Sequence, residues 1–363
     1  MTSMTMNTFD ADYDRANEVK QFDESKKGVK GLFDSGLTTI PRFFIHPPET
    51  LSELKLDSRA PPESISIPVI DLSDRHSAIV DQISRACRKF GFFQIVNHGI
   101  ALETLERTVS SIKAFHDQPN EMKAPLYSRE PAGSIRYFSN VDLFYTKAAS
   151  WMDTLYMKVE PNSQTLKELP EICRKEMVDW HREVKVLVDK LTELMSEGLG
   201  LSAEKLKEYT CLEGCTMVGN YYPSCPQPHL TMGNASHTDG GVLTVLIQDQ
   251  IGGLQVQYGD LWVDVKPVPG AIVINVGDLL QIITNDEYKS GLHRVLANSS
   301  GKSRVSVAVF PEPGKKDGLF GPLLELTSPN KPALYKHFTY FEYIGKFFSS
   351  KVEGKTMIDG YKL

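Results

Sequence analysis

The sequence predicts an α+β protein: a mostly helical N-terminal region joined to a C-terminal β core of barrel or sandwich type. Two observations predict it. In the N-terminal half, apolar residues recur every three or four positions, as the buried stripe of a helix requires. After about residue 215, short β-branched and aromatic runs alternate with Gly, Pro, Asn and Asp, as strands joined by tight turns require.

The elements follow in order. Residues 1–60 are polar and carry Pro41, Pro47 and Pro48, with Pro61 and Pro62 just beyond; they read as an N-terminal extension that drapes over a core. Residues 61–210 form the mostly helical region. In it, Ile67–Leu72 and Gly91–Val96 read as strands. Helices are expected over 77–90 (Ile79, Ile83, Cys87, Phe90), 102–116 (Leu102, Leu105, Val109, Ile112, Phe115) and 175–199 (Trp180, Val184, Leu187, Val188, Leu191, Leu194). Gly198 and Gly200 end the last of these. Residues 211–320 form the β core, with strand-like runs at 217–222, 242–248, 254–258, 261–265, 271–276, 293–296 and 304–310. Residues 321–363 are a mixed tail expected to pack on that core.

Composition narrows the function. The chain of 363 residues is 41% apolar and 24% charged, which suits a soluble globular protein with a large core. A net charge of -6 gives no clustered basic surface for a phosphate backbone, so no nucleic-acid partner is expected. No apolar run approaches the ~20 residues that span a bilayer. The start, polar and acidic, resembles neither a secretory signal nor a transit peptide, so the expected location is the cytoplasm. The five cysteines, Cys87, Cys173, Cys211, Cys215 and Cys225, form no disulfide framework. Cys211, Cys215 and Cys225 lack the second ligand pair of a zinc finger and read as free thiols. No phosphate-binding GxxxxGK[ST], no GxGxxG after a strand, no GxSxG and no HExxH occurs.

Three short constellations carry chemistry. The first is His237-Thr238-Asp239 with His293 far downstream. Residues i and i+2 of a strand project to one face, so the pair presents an imidazole and a carboxylate to one point. A distant His on a neighbouring strand completes a facial set, the arrangement of non-haem Fe(II) oxygenases, which leaves three metal positions open. The pair lies in the β half between Gly233 and Gly240-Gly241, and His293 opens a strand. The second is Arg304-Val305-Ser306, where alternation puts a guanidinium and a hydroxyl on one face. Arg captures a carboxylate in planar, bidentate fashion. The alternative is a strand-end Arg, exposed or paired to a structural carboxylate. The third is Asn220-Tyr221-Tyr222-Pro223, an amide and a phenol that either face a pocket or simply fill a strand ended by proline. His98 reads as a turn residue, and His116, His181 and His337 as helix or tail residues. Trp151, Trp180 and Trp262 read as packing.

Together these segments resemble the plant 2-oxoglutarate-dependent dioxygenases that act on small molecules. Ile67-Pro68-Val69-Ile70-Asp71-Leu72 and Gly91-Phe92-Phe93-Gln94-Ile95-Val96-Asn97-His98-Gly99-Ile100 are similar to the family's N-terminal region. Asn220-Tyr221-Tyr222-Pro223, His237-Thr238-Asp239, His293-Arg294-Val295 and Arg304-Val305-Ser306 are similar to its catalytic jelly roll, in order. Within the family, Phe22-Asp23-Glu24-Ser25-Lys26-Lys27-Gly28-Val29-Lys30-Gly31-Leu32 and Ile40-Pro41-Arg42-Phe43-Phe44 resemble the aminocyclopropane-carboxylate oxidase homologues. That subgroup resembles hydroxylases of specialised metabolism. Asn234-Ala235-Ser236 before His237, and Gly291-Leu292 before His293, depart from the subgroup's usual Gly-Thr-Ser-Lys and Val-Glu.

The resemblance implies a double-stranded β-helix. It implies Fe(II) on His237, Asp239 and His293, and a 2-oxoglutarate carboxylate on Arg304 and Ser306 with Asn220 and Tyr222 in support. It places Phe310 in the substrate pocket. The reaction implied consumes O2 and 2-oxoglutarate, with ascorbate supportive, and releases succinate and CO2. The organic substrate is then a small plant metabolite such as an alkaloid, phenolic or glucoside, hydroxylated or otherwise oxidised by a monomer that needs no partner. Two alternatives stay open: an oxidase that does not use 2-oxoglutarate, and a non-catalytic barrel that binds a small molecule.

Overall fold

The computed structural model describes residues 13–56, 65–141, 143–161, 164–314, 317–349 and 356–363. The polar first residues and the Pro61-Pro62 pair lie outside the described residues. The strands, in chain order, are β1 (Val69–Asp71), β2 (Phe92–Val96), β3 (Ile135–Ser139), β4 (Asp153–Val159), β5 (Leu212–Tyr222), β6 (Met232–His237), β7 (Leu243–Gln248), β8 (Leu254–Tyr258), β9 (Leu261–Asp264), β10 (Ile272–Val276), β11 (His293–Leu296) and β12 (Arg304–Pro313), with a short pair β13 (Leu319–Phe320) and β14 (Phe338–Thr339) near the C-terminus.

An eight-stranded sheet has the order β1-β2-β10-β7-β12-β5-β4-β3, and a four-stranded sheet the order β6-β11-β8-β9. This is the jelly-roll core that the resemblance implies. Four strands that precede residue 211 extend the large sheet at both edges, so that sheet runs across the boundary between the helical region and the β core. Helical periodicity elsewhere in that region hid β3 and β4 from sequence reading. β3 is short; β4 alternates Leu155, Met157 and Val159 with Tyr156 and Lys158 but lies alone among helical patterns.

One face of the large sheet is closed by helices. The helix Glu171–Gly198 buries Met177, Trp180, Val184, Leu187 and Leu191 along one stripe. It packs on the helices His76–Lys89 and Leu102–Asp117, and the last of these lies on β5 and β12. Close approach depends on Gly219 in β5, where an added Cβ would stand 2.7 Å from the Ile112 side chain. The opposite face of the same strands lines the interior that holds the polar residues of interest. Both faces being covered explains why β10 is buried at every position.

The described part of the N-terminal extension, residues 13–56, is largely helical. It forms helices Arg15–Glu24 and Gly28–Asp34 and a 3-10 turn Arg42–Phe44. Val19, Phe22, Val29, Phe43 and Phe44 join Leu143, Trp151 and Cys225 in a small core of their own. The Phe44 ring meets Trp151 edge-on at 5.0 Å. A buried carboxylate ties this layer down. Asp153, in β4, accepts hydrogen bonds from the Val29 and Lys30 backbone N–H groups, each at 2.8 Å, from the Tyr137 hydroxyl at 3.2 Å, and from the Ser139 hydroxyl. The first turn of a short helix thus caps on a side chain more than a hundred residues away, because free N–H groups at a helix start attract a negative charge.

Gly28 makes that contact possible. Its φ is +67°, and an added Cβ would lie 2.5 Å from the Asp153 carboxylate and 2.5 Å from the Tyr137 hydroxyl. Gly28→Ala is therefore expected to lose stability by about 1–3 kcal/mol from backbone strain alone, and more from the clash. Thermal melting together with limited trypsin digestion checks it. The variant should melt lower and be cut faster within residues 13–56; an unchanged melt and digestion pattern would refute the anchoring role.

Candidate metal and 2-oxoglutarate site

His237 is the last residue of β6 and His293 the first of β11, and the two are direct cross-strand partners. Register alone therefore brings the imidazoles together, with ring centroids 4.2 Å apart. Asp239 arrives differently from the sequence expectation. β6 stops at His237, so strand alternation does not aim the carboxylate. The tight segment after it does. The backbone N–H of Asp278 donates to the Asp239 carbonyl at 2.7 Å, and that of Leu279 to Gly241 at 3.1 Å. Gly277 allows this approach, since an added Cβ would meet the Gly241 carbonyl at 2.1 Å.

The Asp239 carboxylate is divided between two tasks. Its Oδ2 accepts from the Thr244 hydroxyl at 2.6 Å and from the Asn275 amide at 2.7 Å. Its Oδ1 faces both imidazoles, 3.7 Å from His237 Nε2 and 3.8 Å from His293 Nε2. Burial pushes the carboxyl up, but the two imidazoles and the two donors outweigh that and hold it below its ordinary range. Each imidazole is oriented through its other nitrogen: His237 Nδ1 lies 2.8 Å from the Ala235 carbonyl, and His293 Nδ1 lies 3.0 Å from that of Gly291. An Nδ1–H donated to a carbonyl leaves the Nε2 lone pair free, the tautomer a metal needs. Burial and the neighbouring His237 lower His293 to about 4, so it is neutral at physiological pH.

Two imidazole Nε2 atoms and one carboxylate oxygen therefore converge from separate elements. Among the described residues this is the one group of three or more His, Cys, Asp or Glu placed to hold a metal ion. The N2O donor set fits Fe(II) and leaves one side open. That side is toward His237, whose side chain is 36% exposed against 9% for His293. The five cysteines are free and take no part.

The second cluster sits on the inner face of the large sheet. Arg304 pairs directly with Tyr222, and Ser306 with both Asn220 and Gln248. Direct partners share a face, so all five side chains point inward. Arg304 is 1% exposed, yet among the described residues no carboxylate lies within ion-pair distance of it. Its Nη2 donates to Gln248 Oε1 at 2.7 Å, its Nη1 to Ser306 Oγ at 3.3 Å, and its Cζ lies 4.8 Å over the Tyr222 ring. Arg304 Nε and Gln248 Nε2 are buried donors with no partner among the described residues. A buried cation ringed by unused donors is unfavourable without an anion. The nearby half-buried Asp249 carboxylate, which accepts from the Val305 N–H at 2.6 Å and feels the Arg304 charge, makes no direct ion pair with it. Asn220 accepts from the Thr154 hydroxyl at 3.0 Å. Phe310 lies on the same face further along β12, opposite Thr216.

Sequence reasoning missed Gln248, Thr244 and Asn275. Their signal was present: each is a polar side chain inside or closing a run of buried aliphatics, Leu243-Thr244-Val245 and Ile274-Asn275-Val276 among them. His98 is indeed a turn residue, with Nε2 2.9 Å from the Gly270 carbonyl. His116 is buried under Tyr221, stacked at 5.0 Å. Trp151 and Trp180 are fully buried, and Trp262 packs 4.0 Å from the Arg294 guanidinium.

Comparison with known proteins agrees with this geometry. Residues 213–313 match the 2OG-Fe(II) oxygenase superfamily, and residues 67–179 match the N-terminal region of non-haem dioxygenases of morphine synthesis. The 1-aminocyclopropane-1-carboxylate oxidase homolog 4 of Arabidopsis thaliana is 45% identical over 352 residues, covering 96% of this chain and 99% of that protein. Deacetoxyvindoline 4-hydroxylase of Catharanthus roseus is 41% identical over 359 residues, covering 95% and 89%. The crystal structure of JOX2 with 2OG, Fe and JA superposes with a TM-score of 0.82 at 33% identity, covering 93% of this chain and 97% of that one.

Asn275→Ala removes one of two donors to Asp239 and leaves both imidazoles untouched. Loss of such an orienting partner is expected to weaken metal binding by about 10–100-fold. Competition with a chelator for Mn(II), read by electron paramagnetic resonance, checks it; unaltered affinity would show that Thr244 alone suffices. The sequence, the jelly roll and the relatives together place this chain in the plant 2-oxoglutarate- and Fe(II)-dependent oxygenase family, among the aminocyclopropane-carboxylate oxidase homologues.

Proposed function

We propose that His237, Asp239 and His293 hold Fe(II), that Arg304 and Ser306 receive the distal carboxylate of 2-oxoglutarate with Asn220 and Tyr222 beside them, and that Phe310 lines the space for the organic substrate. The chain is a 2-oxoglutarate-dependent dioxygenase by family. The observation that carries the assignment of its residues is the buried Arg304, with no carboxylate hydrogen-bonded to it and unused donors around it, on the same inner face as Thr244, which holds the metal cluster's carboxylate. Bound iron supplies the redox chemistry, coupling O2 reduction to oxidative decarboxylation of 2-oxoglutarate and oxidation of a C–H bond.

The chain's own residues do the positioning. Thr244 and Asn275 hold Asp239 rotated so that one oxygen faces the imidazoles. Arg304 neutralises one end of a dicarboxylate, and Gln248 fixes the guanidinium plane by accepting from Nη2. The helix Tyr340–Ser349 lays the Phe347 ring against Gly240, beside the metal ligands, and helps keep water from that edge. The prime substrate is a small plant specialised metabolite, hydroxylated or otherwise oxidised, and the protein works as a cytoplasmic monomer. In support of a small-molecule hydroxylation, a relative over nearly the whole chain is named deacetoxyvindoline 4-hydroxylase; no described helix is long and apolar enough to cross a membrane.

His237→Ala or Asp239→Ala should abolish Fe(II) binding and succinate formation together; turnover retained in either sinks the triad. Arg304→Ala should keep the metal but raise the 2-oxoglutarate concentration needed by about 10–100-fold, the effect of losing a charged hydrogen bond of about 1.5–3 kcal/mol. Succinate release against 2-oxoglutarate concentration measures it. A variant that loses only the organic substrate would reassign Arg304.

A further inference from the structure

One arginine on the pocket face is used by none of the chemistry above. Arg136 lies in β3, the edge strand of the large sheet, opposite Tyr156 of β4. Tyr156 is opposite Val218 of β5, and Val218 is opposite Ala308 of β12, which is opposite Leu246 of β7. None of these pairings is broken by a bulge, so Arg136 shares the inner face with Asn220 and Ser306. The row adjacent to it, Phe138–Thr154–Asn220–Ser306–Gln248, is the one that ends in the 2-oxoglutarate residues.

The guanidinium is held but not neutralised. Its Cζ lies 4.3 Å over the Tyr156 ring and 5.6 Å from that of Phe138. Gly133 packs on the stem: an added Cβ there would meet Arg136 Cγ at 3.2 Å. Arg136 Nε is buried without a hydrogen-bond partner, and among the described residues no ion pair reaches the side chain. Aromatic rings hold a guanidinium plane in place while leaving its N–H edge for a planar anion. Between Arg136 and the metal end, the row offers the Tyr156 ring, Val218, Ala308 and Leu246, an apolar strip flanked by Phe310, Thr216 and Lys158 on one side and by Thr154, Asn220 and Ser306 on the other.

We propose that Arg136 is the recognition residue for a carboxylate on the organic substrate, whose apolar body runs along Val218 and Ala308 toward the metal. This rests on the oxygenase reading and adds the substrate's chemical class. From β3 to β7 is four interstrand steps of about 4.8 Å, roughly 19 Å along the sheet. The reach of the Arg136 side chain shortens that, but a molecule that touches both ends is extended. A compact amino acid does not span it.

The test is equilibrium binding by calorimetry under argon, with Fe(II) and saturating 2-oxoglutarate so that Arg304 is occupied and no turnover occurs. The probes are 5-phenylpentanoate, its methyl ester and 5-phenylpentylamine. Wild type should bind the acid at least tenfold tighter than the ester or the amine. Arg136→Gln should erase that preference, and Arg136→Lys should retain part of it. Arg136→Met, which keeps the stem on Tyr156, serves if the Gln variant melts abnormally. An acid bound no tighter than its ester, or a preference unchanged without Arg136, overturns the proposal. So does weaker 2-oxoglutarate binding in Arg136→Gln, which would assign Arg136 to the cosubstrate. Failure of wild type to bind 2-oxoglutarate counts against the oxygenase reading alone, because the acid and ester can still be compared.

Discussion

A single carboxylate carried into the interior organises the centre of this protein. Asp239 is 7% exposed, and an ionised side chain at that depth is strongly unfavourable unless it is fully satisfied. Satisfaction comes from both sheets. Thr244 and Asn275, on adjacent strands of the large sheet, take one oxygen; the cross-strand pair His237 and His293 of the small sheet face the other. The facing sheets are thus joined across the core by a charge that requires both of them. The chain reversal at Gly240-Gly241 and the glycine at 277 follow from it, since they let the backbone close around the carboxylate.

The remaining polar groups obey the parity of strands. In β5, Asn220 and Tyr222 face inward, while Gly219 and Tyr221 face the helices; in β12, Arg304, Ser306, Ala308 and Phe310 face inward. A slip of one residue in either strand would move every polar group of the pocket into the helical interface, where Ile112, Phe115 and His116 are packed. The apolar packing on the outer face therefore sets the register that the inner chemistry depends on. Tyr221 strengthens that outer packing: it stacks on His116, and its hydroxyl donates to Asp117 at 2.6 Å.

The N-terminal layer is held by a second buried carboxylate. Asp153 stands next to Thr154, which donates to Asn220 in the pocket. Through two adjacent residues of β4, the extension is anchored on one face of the strand and the cluster of Asn220, Ser306 and Arg304 is supported on the other. The extension thereby becomes part of the wall that backs the site.

The sequence by itself determined the chemistry and most of the elements. Helical periodicity located the helices His76–Lys89, Leu102–Asp117 and Glu171–Gly198, because a stripe of buried side chains is a local pattern. The separated motifs around His237, Asp239, His293 and Arg304 were legible because metal and carboxylate recognition admit few residue types. Tertiary structure alone decided what those residues touch. Strand alternation did not place Asp239, whose strand ends two residues earlier; a loop closed by hydrogen bonds did. Thr244, Asn275 and Gln248 carry no motif, and their roles exist only through pairing with distant strands. Arg136 was silent in the sequence for the same reason. An arginine in a short strand is ordinary until register puts it on the pocket face, and register is set by packing between segments far apart in the chain.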